Sequence, residues 1–399
     1  MVVERPAHRG LRRYPPAYAP LPAAALSRAA LSIGSAHAPA DLASMLCQRY
    51  TADRATLFAS GTQALTAALR AAIAHTREKS VALPAFTCFD VATAAVGADA
   101  AIAFYDVDPV TLQPDYDSLE RALSAGAGTA VIAPLYGVQP DWQRVRSIAG
   151  RNDALIIEDA AQGIGSSWHG KVAGSLGVLS VLSFGRGKGW TGGGGGVVLD
   201  RGGIPVEPPG GSSVSRDIAT IVKAAAQAAF SSPRLFALPA AIPWLRLGET
   251  HYHAPSDPSA ITAASAALVM QTAQSAVLES RHRRERAHAL MEFITGFEDI
   301  LTIPVLQDTE PGYLRLPVRV PSESYRRTLL LRGAALGVAQ TYPAKLNSLH
   351  VLHGRASNAA QHFRGAECLV AELITLPTHS RSQQELLRNL LVSSGRSPS

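Results

Sequence analysis

The sequence contains one lysine in a setting suited to covalent chemistry. Lys188 lies in the segment SFGRGKGWTGGGGG, where glycines both precede and follow it. Glycine lets the backbone approach a ligand closely, and an amine that forms an imine needs a reachable position and a pKa lowered by burial. A surface lysine in a flexible glycine run would show the same local pattern. The segment is not a P-loop, because it lacks that motif's spacing and does not open a helix.

A second candidate is an acidic residue at the end of an apolar run. Asp159 ends the run ALIIED, which predicts a buried strand. A carboxylate at such a strand end can pair with the protonated nitrogen of a pyridine ring and make the ring an electron sink. It can also be the N-cap of a helix over the following AAQG. The preceding Glu158 points to the opposite face of the strand, so only one of the two carboxylates can face a ligand.

The segment SGTQAL at 60–65 places serine, glycine and threonine at the start of a predicted helix. Backbone N–H groups and the helix dipole favour a phosphate at such a point. Simple helix capping explains the same residues equally well, so both interpretations stay open.

Residues 40–200 alternate predicted helices and short apolar strands, which is typical of an α/β domain around a mostly parallel sheet. The first helix is predicted over Gln63–His75, and strands are predicted at 81–85, 101–107, 129–137, 154–162 and 178–188. Parallel strands bind ligands at their carboxyl ends. Four polar residues lie at such ends: Asp159, Gln162, Ser183 and Lys188.

A loop rich in Gly, Pro and Ser over 201–216 marks a boundary between two parts of the chain. Residues 217–246 are largely apolar and helical but broken by prolines, and a long helix is predicted over Ala260–Phe293. Short strands and helices follow, as in a smaller α/β domain. We therefore predict a large domain over 1–250, including an insertion at 201–250, and a small C-terminal domain over 251–399.

The composition indicates a soluble globular protein, since 47% of the 399 residues are hydrophobic and 17% are charged. We expect a cytoplasmic location, because the N-terminus lacks the apolar core of a secretory signal. Three cysteines cannot form a disulfide framework and lack zinc-ligand spacing. The net charge of +6 suggests either an anionic partner or an arginine-rich codon bias, since only five of the 37 basic residues are lysines. Basic residues do not cluster with aromatics, so we expect no nucleic-acid partner.

Together the three segments resemble one family, the DegT/DnrJ/EryC1/StrS aminotransferases, best known for acting on nucleotide sugars. The resemblance extends from about Pro22 to Leu391 and is strongest over Thr56–Leu199. The family motifs SGTxAL, PxxT, FxDVDPxT, EDAAQ-G and SFxxxK correspond to Ser60–Leu65, Pro84–Thr87, Phe104–Thr111, Glu158–Gly163 and Ser183–Lys188. The resemblance implies the PLP-dependent transferase fold type I, with a mostly parallel central sheet and a smaller C-terminal α/β domain.

The resemblance also implies pyridoxal 5′-phosphate (PLP) as the cofactor, with no metal, and a role for each matched residue. Lys188 would form the Schiff base and carry protons, and Asp159 would pair with the pyridine nitrogen. Gln162 would lie beside the ring hydroxyl. The phosphate ligands would be Gly61, Thr62 and Ser183.

Several positions depart from the family pattern. An aromatic residue usually follows the PxxT threonine and stacks on the ring, but Cys88 occupies that position and Phe89 comes next. Either residue could therefore face the cofactor. The family's asparagine after the lysine is Gly189, and HYHAPSDPS at 251–259 replaces the segment that a neighbouring subunit contributes to the phosphate site.

The resemblance implies an aminotransferase that transfers an amino group from glutamate to a keto-sugar, with a nucleotide-linked sugar as the first candidate. The retained Lys188 argues against the related dehydratases, in which histidine replaces it. A transaminase of a non-sugar, lipid-like ketone and a non-catalytic PLP-binding regulator are the alternatives. We also predict a homodimer, because 217–246 contains an apolar set too large to lie wholly in water: Phe230, Leu235, Phe236, Leu238, Trp244 and Leu245.

Overall fold

The structure, a computed structural model, describes residues 13–240 and 250–394. Trp244, Leu245 and the side chain of Leu238 lie outside the described residues. Up to residue 200 the elements are α1 (Ala23–Ala30), α2 (His37–Tyr50), β1 (Arg54–Phe58), α3 (Gly61–His75), β2 (Ser80–Pro84), α4 (Phe89–Gly97), β3 (Ala101–Tyr105), α5 (Tyr116–Ser124), β4 (Ala127–Ile132), α6 (Trp142–Arg151), β5 (Leu155–Asp159), β6 (Ser167–Trp168), β7 (Lys171–Val172), β8 (Leu179–Ser183) and β9 (Gly196–Asp200).

Longer helices and shorter strands make up the rest of the described chain. They are α7 (Val214–Phe230), α8 (Pro233–Ala240), α9 (Ala263–Ile294), β10 (Leu301–Thr302), β11 (Thr309–Glu310), β12 (Leu316–Arg319), α10 (Glu323–Gly333), β13 (Ala339–Gln340), α11 (Arg364–Glu372), β14 (Leu373–Leu376) and α12 (Gln384–Ser394). No helix within 13–240 or 250–394 is both long enough and apolar enough to cross a membrane.

A seven-stranded sheet in the order β1-β9-β8-β5-β4-β2-β3 forms the centre of the first half. The pairs from β8 to β3 are parallel, whereas β9 is antiparallel to both of its neighbours. The prediction of an α/β fold with a mostly parallel central sheet is therefore confirmed. Helices α3 and α4 cover one face of this sheet, and α5 and α6 cover the other.

Side-chain caps begin several of these helices. The side chain of Ser60 accepts a hydrogen bond from the backbone N–H of Gln63 at the start of α3. Asp115 and Asp141 cap α5 and α6 in the same way. Such caps satisfy N–H groups that the first turn of a helix leaves without partners, so each helix starts directly after the strand or turn that precedes it.

Three predicted strands are shorter in the structure than their apolar runs. The strands predicted to end at 137, 162 and 188 end at Ile132, Asp159 and Ser183. The chain beyond each strand turns instead, with a left-handed φ of 57° at Tyr136 and of 82° at Gly187. An apolar run does not distinguish a strand from a buried loop. Lys188 consequently lies on a loop rather than on a strand.

The C-terminal part is organised around a four-stranded antiparallel sheet in the order β10-β12-β14-β13. Helix α9 joins this part to the first half: its beginning packs on α1, α2 and α7, while Leu290 and Ile294 near its end belong to the C-terminal core. The loop that contains Leu346 and Leu352 packs into the core of the large sheet. The division of the chain at residue 250 stays a prediction.

The segment before α1 crosses the C-terminal part and holds a buried histidine. The imidazole of His379 is fully buried, and its Nε2 lies 2.9 Å from the carbonyl oxygen of Pro15. Because a carbonyl only accepts, Nε2 carries the proton and Nδ1 is left without a partner within the described residues. Burial lowers the pKa of His379 to about 4, against a backbone hydrogen bond to Pro15 that raises it, and nearby arginines such as Arg315 lower it further.

This depressed pKa predicts a loss of stability on acidification. The unfolded histidine binds a proton below its ordinary pKa of about 6.5, whereas the folded one does so only below about 4. Its contribution to the free energy of unfolding therefore falls as the pH drops through that window, by roughly 2 kcal/mol at about pH 5. Urea unfolding of the wild type and of His379→Gln, which keeps a hydrogen-bond donor, measures this. We expect a smaller pH dependence in the variant, and identical pH profiles would contradict the assignment.

Candidate active site

Four strand ends and one helix start surround a cavity in the protein. Seven of the eight candidate residues line it: Gly61, Thr62, Cys88, Asp159, Gln162, Ser183 and Lys188. Phe89 does not. It begins α4 and its side chain is buried in the apolar core behind the cavity. Of the two residues left open by the sequence, Cys88 is thus the one that faces the cavity.

The N-terminus of α3 forms one wall of the cavity. Gly61 and Thr62 line it, and the Ser60 cap is used by Gln63, whose N–H lies 3.2 Å from the Ser60 hydroxyl. Gly61 packs so closely on β8 that a Cβ there would lie 2.5 Å from the Cβ of Ser183. Any larger residue would force the helix away from the strand. This wall combines backbone N–H groups with the positive end of a helix, which favours an anion.

Lys188 lies on the glycine-rich loop between β8 and β9. Gly187 and Gly189 on either side have left-handed φ values of 82° and 83°, which other residues rarely adopt. A Cβ at Gly189 would overlap the guanidinium of Arg283, which is fully buried. The backbone on both sides of the lysine is therefore restricted to glycine. Of the five lysines in the sequence, only Lys188 lines the cavity.

The electrostatics around Lys188 differ from the sequence-based expectation. Burial lowers the pKa of the Lys188 amine, as predicted, but Cys88, Asp90 and Asp159 raise it, and the net shift is upward. The expectation of a lowered pKa was wrong for the protein alone, because two carboxylates lie close to the amine. Burial also raises the pKa of the Cys88 thiol, to about 12.

The adjacent carboxylates Glu158 and Asp159 face opposite sides of β5, as alternation predicts. Glu158 is fully buried and accepts four hydrogen bonds, from the N–H groups of Gly174, Leu176 and Gly177 and from the Ser180 hydroxyl, at 2.7–3.2 Å. Asp159 faces the cavity and accepts one, from the Ala161 N–H at 3.1 Å. Burial raises the pKa of Asp159, while Lys188 lowers it. Glu158 is therefore structural, and Asp159 has capacity for a ligand.

Gln162 connects the cavity to the C-terminal part. Its side-chain oxygen accepts a hydrogen bond from the Tyr136 N–H at 3.0 Å, and its amide nitrogen donates to the Tyr342 hydroxyl at 2.7 Å. Tyr342 is buried, and burial raises the pKa of its hydroxyl well above the ordinary value. The residue predicted to lie beside a ring hydroxyl is thus held in place by a side chain 180 positions away.

Sequence reasoning missed three residues of the site. Thr87 and Asp90 line the cavity from the turn after β2 and the first turn of α4, and Tyr342 orients Gln162. An acidic residue just after a strand end was a usable signal for Asp90. Tyr342 had no local signal, because only the folded chain brings it near. Within the part of the chain that the structure describes, no group of three or more His, Cys, Asp or Glu could hold a metal ion.

The contrast between the two carboxylates of β5 gives a testable difference in stability. Glu158→Ala leaves three buried N–H groups without a partner, so we expect the free energy of unfolding to fall by roughly 3 kcal/mol or more. Asp159→Ala removes a carboxylate that is poorly satisfied, so we expect a change within about 1 kcal/mol. Urea unfolding of the cofactor-free variants measures both, each serving as the control for the other. Equal losses would mean that Asp159 is also structural.

Part of this chain is similar in sequence to known proteins. Residues 32–204 match the profile of the DegT/DnrJ/EryC1/StrS aminotransferase family. A pleiotropic regulatory protein of Geobacillus stearothermophilus is 36% identical over 125 residues, 31% of this chain and 33% of that protein. An L-glutamine:2-deoxy-scyllo-inosose aminotransferase of Streptomyces kanamyceticus is 34% identical over 140 residues, 35% of this chain and 33% of that protein. The aligned stretch thus spans about a third of each of these relatives.

The likeness of fold extends further along the chain. The PLP form of Spr1654 from Streptococcus pneumoniae superimposes with a TM-score of 0.74, covering 96% of this chain and 98% of that one, at 17% sequence identity. The overall architecture is therefore shared over nearly the whole chain, although the sequences have diverged widely.

Proposed function

We propose that this chain, whose residues 32–204 match the profile of the DegT/DnrJ/EryC1/StrS aminotransferase family, is a PLP-dependent aminotransferase that aminates a keto-sugar. One observation carries the proposal: an amine, a poorly satisfied carboxylate and a helix N-terminus meet in one cavity, as Lys188, Asp159 and Gly61–Thr62. An amino acid would be the donor. A nucleotide-linked keto-sugar is the first candidate for the acceptor.

The lining of the cavity fits PLP in its chemistry. The phosphate would be held by the start of α3 and by Ser183, which line the same cavity. The ring nitrogen would lie against Asp159, which forms no ion pair with a cationic side chain among the described residues. Burial raises the pKa of this carboxyl group, and a cationic partner would lower it again. Bound PLP would supply an electron sink for the substrate carbon.

The chain's own residues would orient and move protons. Lys188 would first anchor the cofactor through its amine and then carry a proton to and from the substrate carbon. Asp159 would keep the ring nitrogen protonated, and Gln162, fixed by Tyr136 and Tyr342, would orient the ring hydroxyl. Cys88 would lie on the face of the ring as a neutral thiol, in the place that the sequence resemblance assigns to an aromatic residue.

The names of the relatives support amino transfer but do not define the substrates. The Streptomyces kanamyceticus relative is named for glutamine as the donor and for 2-deoxy-scyllo-inosose, a polyhydroxylated cyclic ketone, as the acceptor. Glutamine therefore joins glutamate as a donor to be tested here, and a keto-cyclitol joins the keto-sugars as an acceptor. A cytoplasmic location stays a prediction.

A second candidate is a non-catalytic PLP-binding regulator, favoured by the name of the Geobacillus relative. Such a regulator would bind PLP, as the aminotransferase does, but would not catalyse amino transfer. If glutamate or glutamine bleaches the visible absorbance of bound PLP and a ketone restores it, the protein is a transaminase. A stable absorbance in the presence of both donors would favour the regulator.

The central prediction concerns the attachment of PLP to Lys188. We expect borohydride reduction of the PLP-loaded protein, followed by peptide mapping, to find the pyridoxyl group on Lys188, because no other lysine lines the cavity. Lys188→Ala should lose the visible absorbance and all turnover. Lys171→Ala, in the exposed β6–β7 hairpin, is the matched control and should retain both. A label on any other lysine would contradict the assignment.

We further propose a homodimer, with α7 and α8 at its interface. Val214, Ile218 and Val222 recur every four residues along α7 and are 54%, 50% and 63% exposed, and Phe230 and Leu235 continue the apolar surface at 42% each. Apolar patches of this kind usually mark an interface, and two-fold symmetry closes it most simply. A membrane surface or an apolar substrate tail is the alternative occupant.

Charge on this surface should dissociate the dimer. Ile218→Glu combined with Val222→Glu would bury like charges against each other across a two-fold axis, so we expect a monomer in light scattering. Leu386→Glu, on an exposed position of α12 at 46%, is the control and should remain dimeric. Measurements with and without PLP test whether the cofactor stabilises the assembly. A fully active wild-type monomer would contradict the proposal.

A further inference from the structure

Asp90 is a second carboxylate in the cavity, and the helix that carries it does not use it. It is the second residue of α4 and lines the same cavity as Lys188. Acidic residues in a first turn often stabilise the helix dipole, but its side chain caps no backbone N–H of α4. Its carboxylate accepts one hydrogen bond, from the Cys88 thiol at 3.4 Å. A half-buried carboxylate with a single weak donor has hydrogen-bonding capacity left.

The charges that line the cavity do not balance. Asp90 and Asp159 are both acidic, and Lys188 is the only cationic side chain in the lining. Neither carboxylate forms an ion pair with it within the described part of the chain. Under the proposed function, PLP engages the lysine amine and places its ring nitrogen at Asp159. Asp90 is then the one charged group of the lining that neither the protein nor the cofactor satisfies.

A carboxylate in this position selects for hydrogen-bond donors and against anions. A hydroxyl or ammonium group on the substrate would satisfy it, whereas a phosphate or a carboxylate placed there would be repelled. The donor's amino group reacts at the cofactor and its carboxylate would be repelled by Asp90, so we assign the group that Asp90 recognises to the acceptor.

We propose that Asp90 is the specificity-determining residue for the acceptor, binding a hydroxyl or ammonium group close to the reacting ketone. This rests on the proposed function and narrows its acceptor to ketones that carry such a donor, as keto-sugars and keto-cyclitols do. The phosphate of a nucleotide-linked acceptor must then lie away from α4.

Asp90→Asn tests the proposal, because it removes the charge while keeping the shape. Asp117→Asn is the matched control: Asp117 is likewise the second residue of its helix, α5, but its side chain is 81% exposed and remote from the cavity. Both variants lose the same favourable contact with a helix dipole. A difference between them therefore reports on the cavity.

The two half-reactions are followed separately by the cofactor absorbance. The donor half-reaction starts from the PLP-loaded proteins, and the acceptor half-reaction starts from the same proteins after a donor has converted them to the pyridoxamine phosphate form. Glutamate or glutamine tests the donor half-reaction. Two ketones test the acceptor half-reaction: 2-deoxy-scyllo-inosose, which carries hydroxyl groups, and cyclohexanone, which carries none. We expect Asp90→Asn to lower the second-order rate constant for 2-deoxy-scyllo-inosose roughly tenfold or more. The rate constants for cyclohexanone and for the donor half-reaction should both change much less than that for 2-deoxy-scyllo-inosose. Asp117→Asn should match the wild type.

Calorimetric titration of the cofactor-free proteins with 2-deoxy-scyllo-inosose gives a second readout that needs no turnover. Weaker binding by Asp90→Asn than by Asp117→Asn supports the proposal, and equal binding overturns it. Equal losses with both ketones also overturn it, since Asp90 would then act through Lys188. A wild type that neither donor bleaches refutes the proposed aminotransferase, and in that case the titration alone decides the role of Asp90.

Discussion

The parallel register of β5 and β8 brings Asp159, Ser183 and the start of the loop that carries Lys188 to one edge of the sheet. Asp159 pairs with Val181, so both strands end at the same edge of the sheet, and Ser183 lies two residues further along. Strand β1 runs in the same direction as β8 because β9 is antiparallel to both. Its end therefore delivers α3, helix N-terminus first, to that edge. A shift of one residue in this register would turn Asp159 away and bring the structural Glu158 into the cavity.

Burial makes the difference between the structural and the functional charges. Glu158 is fully enclosed, and three N–H groups and a hydroxyl compensate for the lost hydration. Asp159 and Asp90 have one hydrogen bond each, so ligand groups can complete their coordination. The same two carboxylates raise the pKa of Lys188. A cofactor that engages Asp159 would remove part of that stabilisation and make the free amine easier to reach.

The cavity depends on both halves of the chain. Gln162 lies on the large sheet, yet the Tyr342 hydroxyl from the C-terminal part fixes its amide. Arg283 on α9 packs directly beneath Gly189 and so limits the path of the loop that carries Lys188. Helix α9 also contributes to the C-terminal core. A movement of the C-terminal part relative to the sheet would therefore change the cavity through these two contacts.

Local pattern in the sequence was enough to predict the α/β class, the parallel sheet and six residues that line the cavity, whereas Cys88 became a candidate only through the family resemblance. Apolar runs with polar ends, and glycines around a lysine, are local signals. They can be recognised without knowing which distant residues pack against them. The sequence could not decide between Cys88 and Phe89. These adjacent residues at the start of α4 face different surroundings, and only packing decides which of them is buried in the core. The upward shift of the Lys188 pKa, the role of Tyr342 and the unsatisfied Asp90 likewise arose from contacts between segments distant in the chain. Tertiary structure decided these, since electrostatic and hydrogen-bond energies depend on distance in space rather than on position in the sequence.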